Sequence, residues 1–484
     1  MNKFYLTTAI PYVNGKPHIG HSLEYFQADT IRRYHQELGD ETLLLSGADE
    51  NALKNVQAAE KEGIPTQEFL DKSSSIWQKA YEALGVHLDV FQRGSDKKKH
   101  WPGVQKLWLI CEKNGDIYKK AYTGFYCVGC ESFKTVKELV DGLCPEHKTK
   151  PEEVKEENYF FKLSKYQNKL AELIESNKLK ITPANKRAET LSFVKSGLED
   201  FSISRSEKRA RGVGVPVPND QTQRIYVWFD ALDIYMTGIG YGWDEEKWKK
   251  WWPADLHIIG KDINRFHTIY WPAMLLSAGI PIPKEILIHG FVYTGGEKMS
   301  KSVGNVIDPF ELAKEFGIEP LRYYMLSQIP IDGDGDFTIK RFKEVYNADL
   351  ANGLGNLIAR VAKLCENANF TKTKTVENQK HVSNFAEDYK KTLEEYRFND
   401  GLSIIWGKIS RLDKFINDEK PWELVKNSNP RIKSVLEHSI DQIQEIAVLL
   451  APFLPETSEK ILKQFAVSEI KAGAPLFPRI RIET

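Results

Sequence analysis

Two short segments carry the residue types best suited to phosphate chemistry. In "PHIGHSLEYFQAD", residues 17–29, His18, Gly20 and His21 stand where the apolar run "FYLTTAI" gives way to a helical pattern. The exposed N–H groups and dipole of a helix start favour an anion. Gly20 lets a flat base or a phosphate approach the backbone, and the imidazoles add donors aimed at phosphate oxygens. In "GGEKMSKSVGN", residues 295–305, Lys298 and Lys301 flank Met299 and Ser300 behind two glycines. Lysines so spaced can close over a triphosphate and stabilise charge that develops during displacement. Each segment also has a plainer explanation, either two capping histidines in a turn or a solvated basic loop.

A second constellation points to a metal. Cys127-x-x-Cys130 and Cys144-x-x-His147 are two ligand pairs, and three thiolates with one imidazole suit a closed tetrahedral zinc site. All four positions are filled, so the zinc is expected to be structural. Cys111 and Cys365 lack such neighbours in sequence and are expected as buried thiols. Asp49 and Asp262 follow apolar runs, where an acid can hold a substrate ammonium or a ribose hydroxyl, or simply cap a helix. Tyr12, Trp228, Tyr235 and His267 could line a small apolar pocket or belong to ordinary core.

The elements that must position these groups alternate. "FYLTTAI" is expected as a buried strand. Ile19, Leu23, Phe26, Ile31, Tyr34 and Leu38 recur at helical spacing. "ETLLLSG" is a second strand running into Asp49, and "ALKNVQAAEKEG" is a helix closed by Gly63. Later, "RIYVWF" is expected as a strand ending at Asp230, "LHIIG" as a strand ending at Lys261 and Asp262, and "ILIHGFV" as a strand leading to the lysine loop. This grammar predicts an α/β fold with a split, doubly wound parallel sheet. Such sheets bind ligands at the carboxyl ends of their strands. Past about residue 330, amphipathic helices punctuated by Pro421, Pro430, Pro452 and Pro455 predict an all-α helical bundle.

The expected divisions are a Rossmann-like first half over 1–115, a zinc-knuckle insertion over 116–220, and a second half with the lysine loop over 221–325. A link over 326–365 and a helical domain over 366–484 follow. The 67 basic and 67 acidic residues cancel, which excludes a globally basic nucleic-acid binder but not a local basic stripe. No apolar run is long enough to span a bilayer, no signal-peptide pattern is present, and a cytoplasmic location is expected. The chain closes at Thr484 without an appended dimerisation segment, and a monomer is expected.

Taken together and in order, "PHIGH" and "KMSKS" resemble the two signature motifs of class I aminoacyl-tRNA synthetases. "TAIPYVNGKPHIGH", "YVWFDAL", "HIIGKDINRFH", "HGFVYTGGEKMSKS", "LRYYML", "NADLANGLGNLIAR" and "CVGC" with "CPEH" resemble the methionyl-tRNA synthetase family over nearly the whole chain. The resemblance implies methionine contacts at Ala9, Ile10, Tyr12, Asp49, Trp228, Ala231, Tyr235, Ile263 and His267. It implies ATP contacts, with Mg2+, at His18, Gly20, His21, Glu24, Lys261, Asp262, Lys298 and Lys301. His18, His21, Lys298 and Lys301 would carry catalysis, and Arg205 in "SISR" matches an active-site arginine. Asn356, Arg360 and Trp422 would read the anticodon of methionine tRNA from a helical anticodon-binding domain. Zinc would sit on Cys127, Cys130, Cys144 and His147. Where the family usually has His-Gly, this chain has Asn51-Ala52, and alanine cannot supply a positive φ as glycine does. Two alternatives remain at this level: an adenylate-forming enzyme of the same fold that has lost tRNA charging, and a non-catalytic, zinc-containing RNA-binding module.

Overall fold

The computed structural model describes residues 2–127, 132–134, 136, 139–145, 148–298, 306–371 and 386–482. They form two compact units. One comprises Lys3–Pro17 and Thr42–His289; the other comprises Met1–Asn2, His18–Glu41 and Gly290–Thr484.

The first unit is built on a six-stranded sheet. Its spatial order is Val90–Arg93, Glu41–Ala48, Lys3–Thr7, Leu256–Gly260, Glu285–His289 and Lys180–Thr182. Parallel register sets Leu6 against Leu256, Ile258 against Leu287, Ile286 against Ile181 and Ser46 against Phe91. Leu256–Gly260 and Glu285–His289 are buried at every residue. Both faces are covered, so these strands read as continuous apolar runs rather than alternating ones. Strands earlier in the chain lie on one side of Lys3–Thr7 and later ones on the other. Such a reversal leaves a crevice at the strands' carboxyl ends, here beyond Thr7 and Gly260.

"RIYVWF" is not the strand expected. Asp220–Ile225 is a strand, but it belongs to a small antiparallel sheet with Pro216–Val217 and Ser204–Ser206. Val227–Thr237 is a helix with every residue buried. A helix buried on all sides need show no apolar stripe, and a short apolar run of it such as Val227–Phe229 cannot be told from a buried strand by pattern. In this helix Trp228, Ala231 and Tyr235 fall at i, i+3 and i+7, along one face. The long strands Ile117–Cys127 and Glu152–Phe161 form a separate antiparallel ribbon, with Tyr126 opposite Glu152.

The second unit is mostly helical. Ile19–Glu37 packs on Ile318–Gln328, which packs on Phe398–Glu419; Arg431–Leu450 packs on Pro455–Ala466. Pro421 and Pro455 open their helices, where a missing N–H leaves no bond unmade. Val292–Thr294 and Glu297–Lys298 form a hairpin across Gly295 (φ 61°) and Gly296 (φ 80°). A two-residue turn with both φ positive matches strand twist and favours glycine. Val292–Thr294 also pairs in parallel with Gly335–Asp336, a short strand beyond the point where strands were expected to end. Among the described residues, no helix is long and apolar enough to cross a membrane.

Candidate active site

The two histidines of the front motif cap their helix reciprocally. His18 Nδ1 accepts the Gly20 N–H at 3.1 Å, and His21 Nδ1 accepts the His18 N–H at 3.1 Å. Both Nδ1 atoms are therefore acceptors, and each neutral ring carries its proton on Nε2. The ring centroids are 4.0 Å apart, so two imidazole N–H donors sit side by side at a helix start. Capping and phosphate contact are thus compatible, since they use different nitrogens. Ile19 N–H donates to the carbonyl of Ile307 at 3.1 Å, which ties this helix start to chain just past the lysine loop. Lys298 lies in the hairpin opposite Tyr293; Lys301 is outside the described residues. Glu24, one turn beyond Gly20, is buried.

In the first unit, Asp49 is fixed from two sides. Its N–H donates to Pro11 O at 2.9 Å, and its carbonyl accepts from Asn55 Nδ2 at 2.8 Å. Tyr12 bridges to Asp49 in parallel, which carries the path of the front strand past Ala9 and Ile10 to the acid. Trp228 stacks on Phe266 with centroids 3.6 Å apart, and Tyr12 meets Trp228 edge-on at 6.2 Å. Tyr235 Oη donates to His267 Nε2 at 2.8 Å, and His267 Nδ1–H donates to Ile263 O at 3.0 Å. The carbonyl can only accept, which sets the tautomer. Burial pushes the His267 pKa down to about 4, so the ring is uncharged at neutral pH. Stacked aromatics beside an uncharged imidazole suit a thioether, whose sulfur is polarisable and favours ring contacts. Lys261, Asp262 and Ile263 make one 3-10 turn directly after the Leu256–Gly260 strand, with Asp262 exposed.

Arg205 lies on the short Ser204–Ser206 strand. Its Nη1 donates to Ser202 Oγ at 3.0 Å and Ser204 O at 2.7 Å, and its guanidinium sits 4.1 Å from the Tyr226 ring centre. Tyr226 immediately precedes the Val227–Thr237 helix.

Several neighbours escaped the sequence reading. Phe266 completes the Trp228 stack, and its only signal was its place beside His267. Lys54 Nζ lies 3.4 Å from the Tyr12 ring centre, and nothing in the sequence distinguishes it from other helix lysines. Asn51 Nδ2 donates to Asp230 Oδ2 at 2.6 Å and to Gly94 O at 2.9 Å. His100 Nε2 meets Asp230 Oδ1 at 2.5 Å and its Nδ1 meets Thr237 Oγ1 at 2.7 Å, all buried. Asn51 thus links the segment after Asp49 to the Trp228 helix. Ala52 has φ −89° and stands at the N-cap of the Leu53–Glu62 helix, so no positive φ is needed there. Alanine is accommodated in place of glycine for that reason.

Of the expected metal ligands, Cys127 ends the Ile117–Cys127 strand and Cys144 follows a tight turn over Asp141 (φ 52°) and Gly142 (φ 75°); both are buried. Cys130 and His147 lie outside the described residues. Cys111 and Cys365 are buried thiols, as expected, and burial pushes each pKa up to about 12. In the helical unit, Asn356 and Arg360 are one turn apart on the Asn356–Asn367 helix. The Arg360 guanidinium lies 5.2 Å from the Trp422 ring centre and donates to Asp413 and Asn417. Trp422 is 44% exposed, so its indole is not a core anchor.

Known proteins resemble this chain closely. A family profile described as "tRNA synthetases class I (M)" matches residues 4–152 and 147–362. The methionine--tRNA ligase of Brucella suis is 39% identical over 508 residues, covering 99% of this chain and 98% of that protein. That of Thermotoga maritima is 39% identical over 480 residues, covering 96% of this chain and 76% of that protein. The structure of Mycobacterium tuberculosis methionyl-tRNA synthetase in complex with methionyl-adenylate matches with a TM-score of 0.90 at 35% identity, over 99% of this chain and 100% of that one. With a parallel sheet reversed at its first strand, a histidine-capped helix bonded to Ile307 and likeness of this extent, the chain belongs to the methionine--tRNA ligase family of class I aminoacyl-tRNA synthetases.

Proposed function

We propose that this chain attaches methionine to its cognate tRNA using ATP, through a methionyl-adenylate. The methionine carboxylate attacks the α-phosphorus of ATP, the bond to the bridging oxygen breaks, and pyrophosphate leaves with Mg2+. The 3′-terminal adenosine hydroxyl of the tRNA then attacks the methionyl carbonyl and releases AMP. The observation that carries this proposal is the reciprocal His18–His21 cap, with its helix start bonded to Ile307. It supports two Nε2–H donors at a helix start bonded to Ile307, in keeping with an ATP site.

The residue roles follow from their chemistry. His18, Gly20, His21, Glu24, Lys261 and Asp262 bind ATP, and Lys298 and Lys301 counter the charge that develops at the phosphates. These donors stabilise a transition state without a protein base, because the attacking carboxylate is already ionised. Asp49 pairs with the substrate ammonium. Tyr12, Trp228, Ala231, Tyr235 and His267 enclose the methionine side chain, with Ala9, Ile10 and Ile263 at its edges. Arg205 supplies a further cation in the active site. Asn356, Arg360 and Trp422 read the anticodon: unpaired bases are recognised by stacking and by their hydrogen-bonding edges, and an exposed indole beside a guanidinium suits both.

Zinc is held by Cys127, Cys130, Cys144 and His147. The two described thiols are buried, one closing a strand and one following a tight turn, which fits a structural knuckle. The metal would order the insertion and takes no part in the reaction. The enzyme acts as a monomer in the cytoplasm, where ATP and tRNA are available. ATP–pyrophosphate exchange with methionine, leucine, isoleucine and cysteine tests the assignment, followed by charging of methionine tRNA. Exchange with methionine alone and subsequent charging are expected. No exchange with methionine would overturn the proposal, and exchange without charging would reduce it to adenylate formation.

A further inference from the structure

The antiparallel ribbon that leads to the zinc ligands ends against the active-site arginine. Tyr126, the residue before Cys127, is 2% exposed, and two guanidiniums meet its ring: Arg209 lies 4.4 Å and Arg205 5.1 Å from the ring centre. Arg205 also sits 4.1 Å from the Tyr226 ring centre. The order of contact is therefore Tyr226, Arg205, Tyr126, Arg209. These four, with Asn51, line a small open cavity next to the start of the Val227–Thr237 helix. One edge of the Arg205 guanidinium is fixed by its own segment, through Ser202 Oγ and Ser204 O. Those two bonds hold the Nη1 edge of the fork, and the rings hold its faces. Aromatic rings that meet the fork constrain its plane, and their negative faces favour the cation. Tyr226 comes from the chain entering the Trp228 helix, whereas Tyr126 comes from the ribbon. Arg209 is held in turn by Glu152, the residue opposite Tyr126 in register.

We propose that Tyr126 is a positioning residue for methionine activation: its ring holds the Arg205 guanidinium in the plane from which it acts. The ribbon bearing Cys127 thus contributes to the active site through an aromatic face. This rests on Arg205 acting in the reaction, as proposed above, and the experiment separates the two claims.

The full chain is assayed by ATP–pyrophosphate exchange. Tyr126→Phe keeps the ring and should stay within about twofold of wild type, while Tyr126→Leu removes the ring and should lower kcat about tenfold or more, with KM for methionine and ATP changed less than about threefold. Should the leucine variant fail to fold, phenylalanines carrying increasing numbers of fluorines at position 126 draw charge off the ring face at nearly constant shape. kcat should fall stepwise along that series; a flat series overturns the proposal. Arg205→Ala is measured in parallel. If it exchanges at the wild-type rate, the assignment of Arg205 fails and the role of Tyr126 falls with it. If Arg205→Ala is impaired while the fluorinated series is flat, only the Tyr126 role is lost. In the Arg205→Ala background the series should have no further effect, and an additive decline would also overturn the proposal.

Discussion

Trp422 and His267 show how single residues divide between binding and stability. Because the Trp422 indole is 44% exposed, its truncation should leave the denaturation midpoint nearly unchanged, as surface substitutions usually stay within about 0.5 kcal/mol. One lost base stack costs roughly 1–3 kcal/mol. By that range, Trp422→Ala should reduce kcat/KM for tRNA about 5- to 150-fold while leaving ATP–pyrophosphate exchange intact. Wild-type charging would remove Trp422 from the anticodon site. His267 is a matter of pH. Its folded pKa of about 4 lies below the unfolded value near 6.5. Above the unfolded value both states are neutral and the contribution to stability is complete. As pH falls toward 4, the unfolded chain takes up a proton that the buried ring refuses, and stability declines by about 1.4 kcal/mol per pH unit from this residue. Urea titrations from about pH 7 to 4.5 should show a shallower decline for His267→Gln. His257 still contributes there in the same direction, because burial also lowers its pKa. Equal slopes would clear His267 of this role.

Among the elements, the helix Ile318–Gln328 clamps its unit together. Arg322 Nη1 pairs with Asp29 on the histidine-capped helix at 2.6 Å, and Nη2 donates to Thr30 Oγ1 and Pro452 O at 2.9 Å. Its Nε donates to Phe453 O. Burial opposes ionisation of Asp29, but Arg322 and Arg33 outweigh it and hold its pKa below the usual carboxylate value. One turn earlier, Glu319 accepts the N–H groups of Glu456 and Thr457 and so caps the Pro455–Ala466 helix. Arg322→Met would leave a buried carboxylate short of a partner, and breaking one side of such a pair costs about 3–5 kcal/mol. Adding Asp29→Asn should recover part of that loss, so the double variant should be more stable than the sum of the single losses predicts. Strict additivity in denaturation would show that the pair is not coupled. The π-helical stretches Phe266–Tyr270 and Tyr346–Gly355 fall at or beside expected binding residues, His267 in one case and Asn356 in the other. Such widened turns recur at functional sites because they shift which side chains share a face.

At the scale of the whole molecule, the expected methionine-binding residues belong to one compact unit and the histidine cap and anticodon residues to the other. Each unit has its own packing, so damage can be local. Of the proposed zinc ligands, Cys127 ends the strand Ile117–Cys127 and Cys144 follows the turn at Asp141 and Gly142, whereas the central sheet is held by fully buried strands such as Leu256–Gly260. Cys144→Ser should therefore lose the metal and expose the ribbon's amides to hydrogen exchange. The amides of Leu256–Gly260 and Glu285–His289 should stay protected. Metal analysis showing full zinc occupancy in that variant would remove Cys144 from the ligand set.

How much of this was legible in the sequence depends on the range of the cause. "LHIIG" and "ETLLLSG" announced their strands, and Ile19 to Leu38 announced a helix, because a short apolar run or apolar residues recurring at helical spacing leave a local pattern. The signature segments were legible for the same reason, since the family they mark is carried by residues close in sequence. "RIYVWF" was misread, because a helix buried on every side and a buried strand look alike until neighbours are known. The partners of Asp230 lie 130 and 179 positions away in His100 and Asn51, and no local pattern joins them. Whether Ala52 could replace glycine depended on one backbone angle, φ −89°, set by how the segment after Asp49 enters its helix. The sequence by itself determined which side chains were available and which segments would become strands and helices. Tertiary packing alone decided which partners Asp230 finds, which rings meet Arg205 and how far Trp422 stands in solvent, because those partners and that burial are supplied by chain remote in sequence.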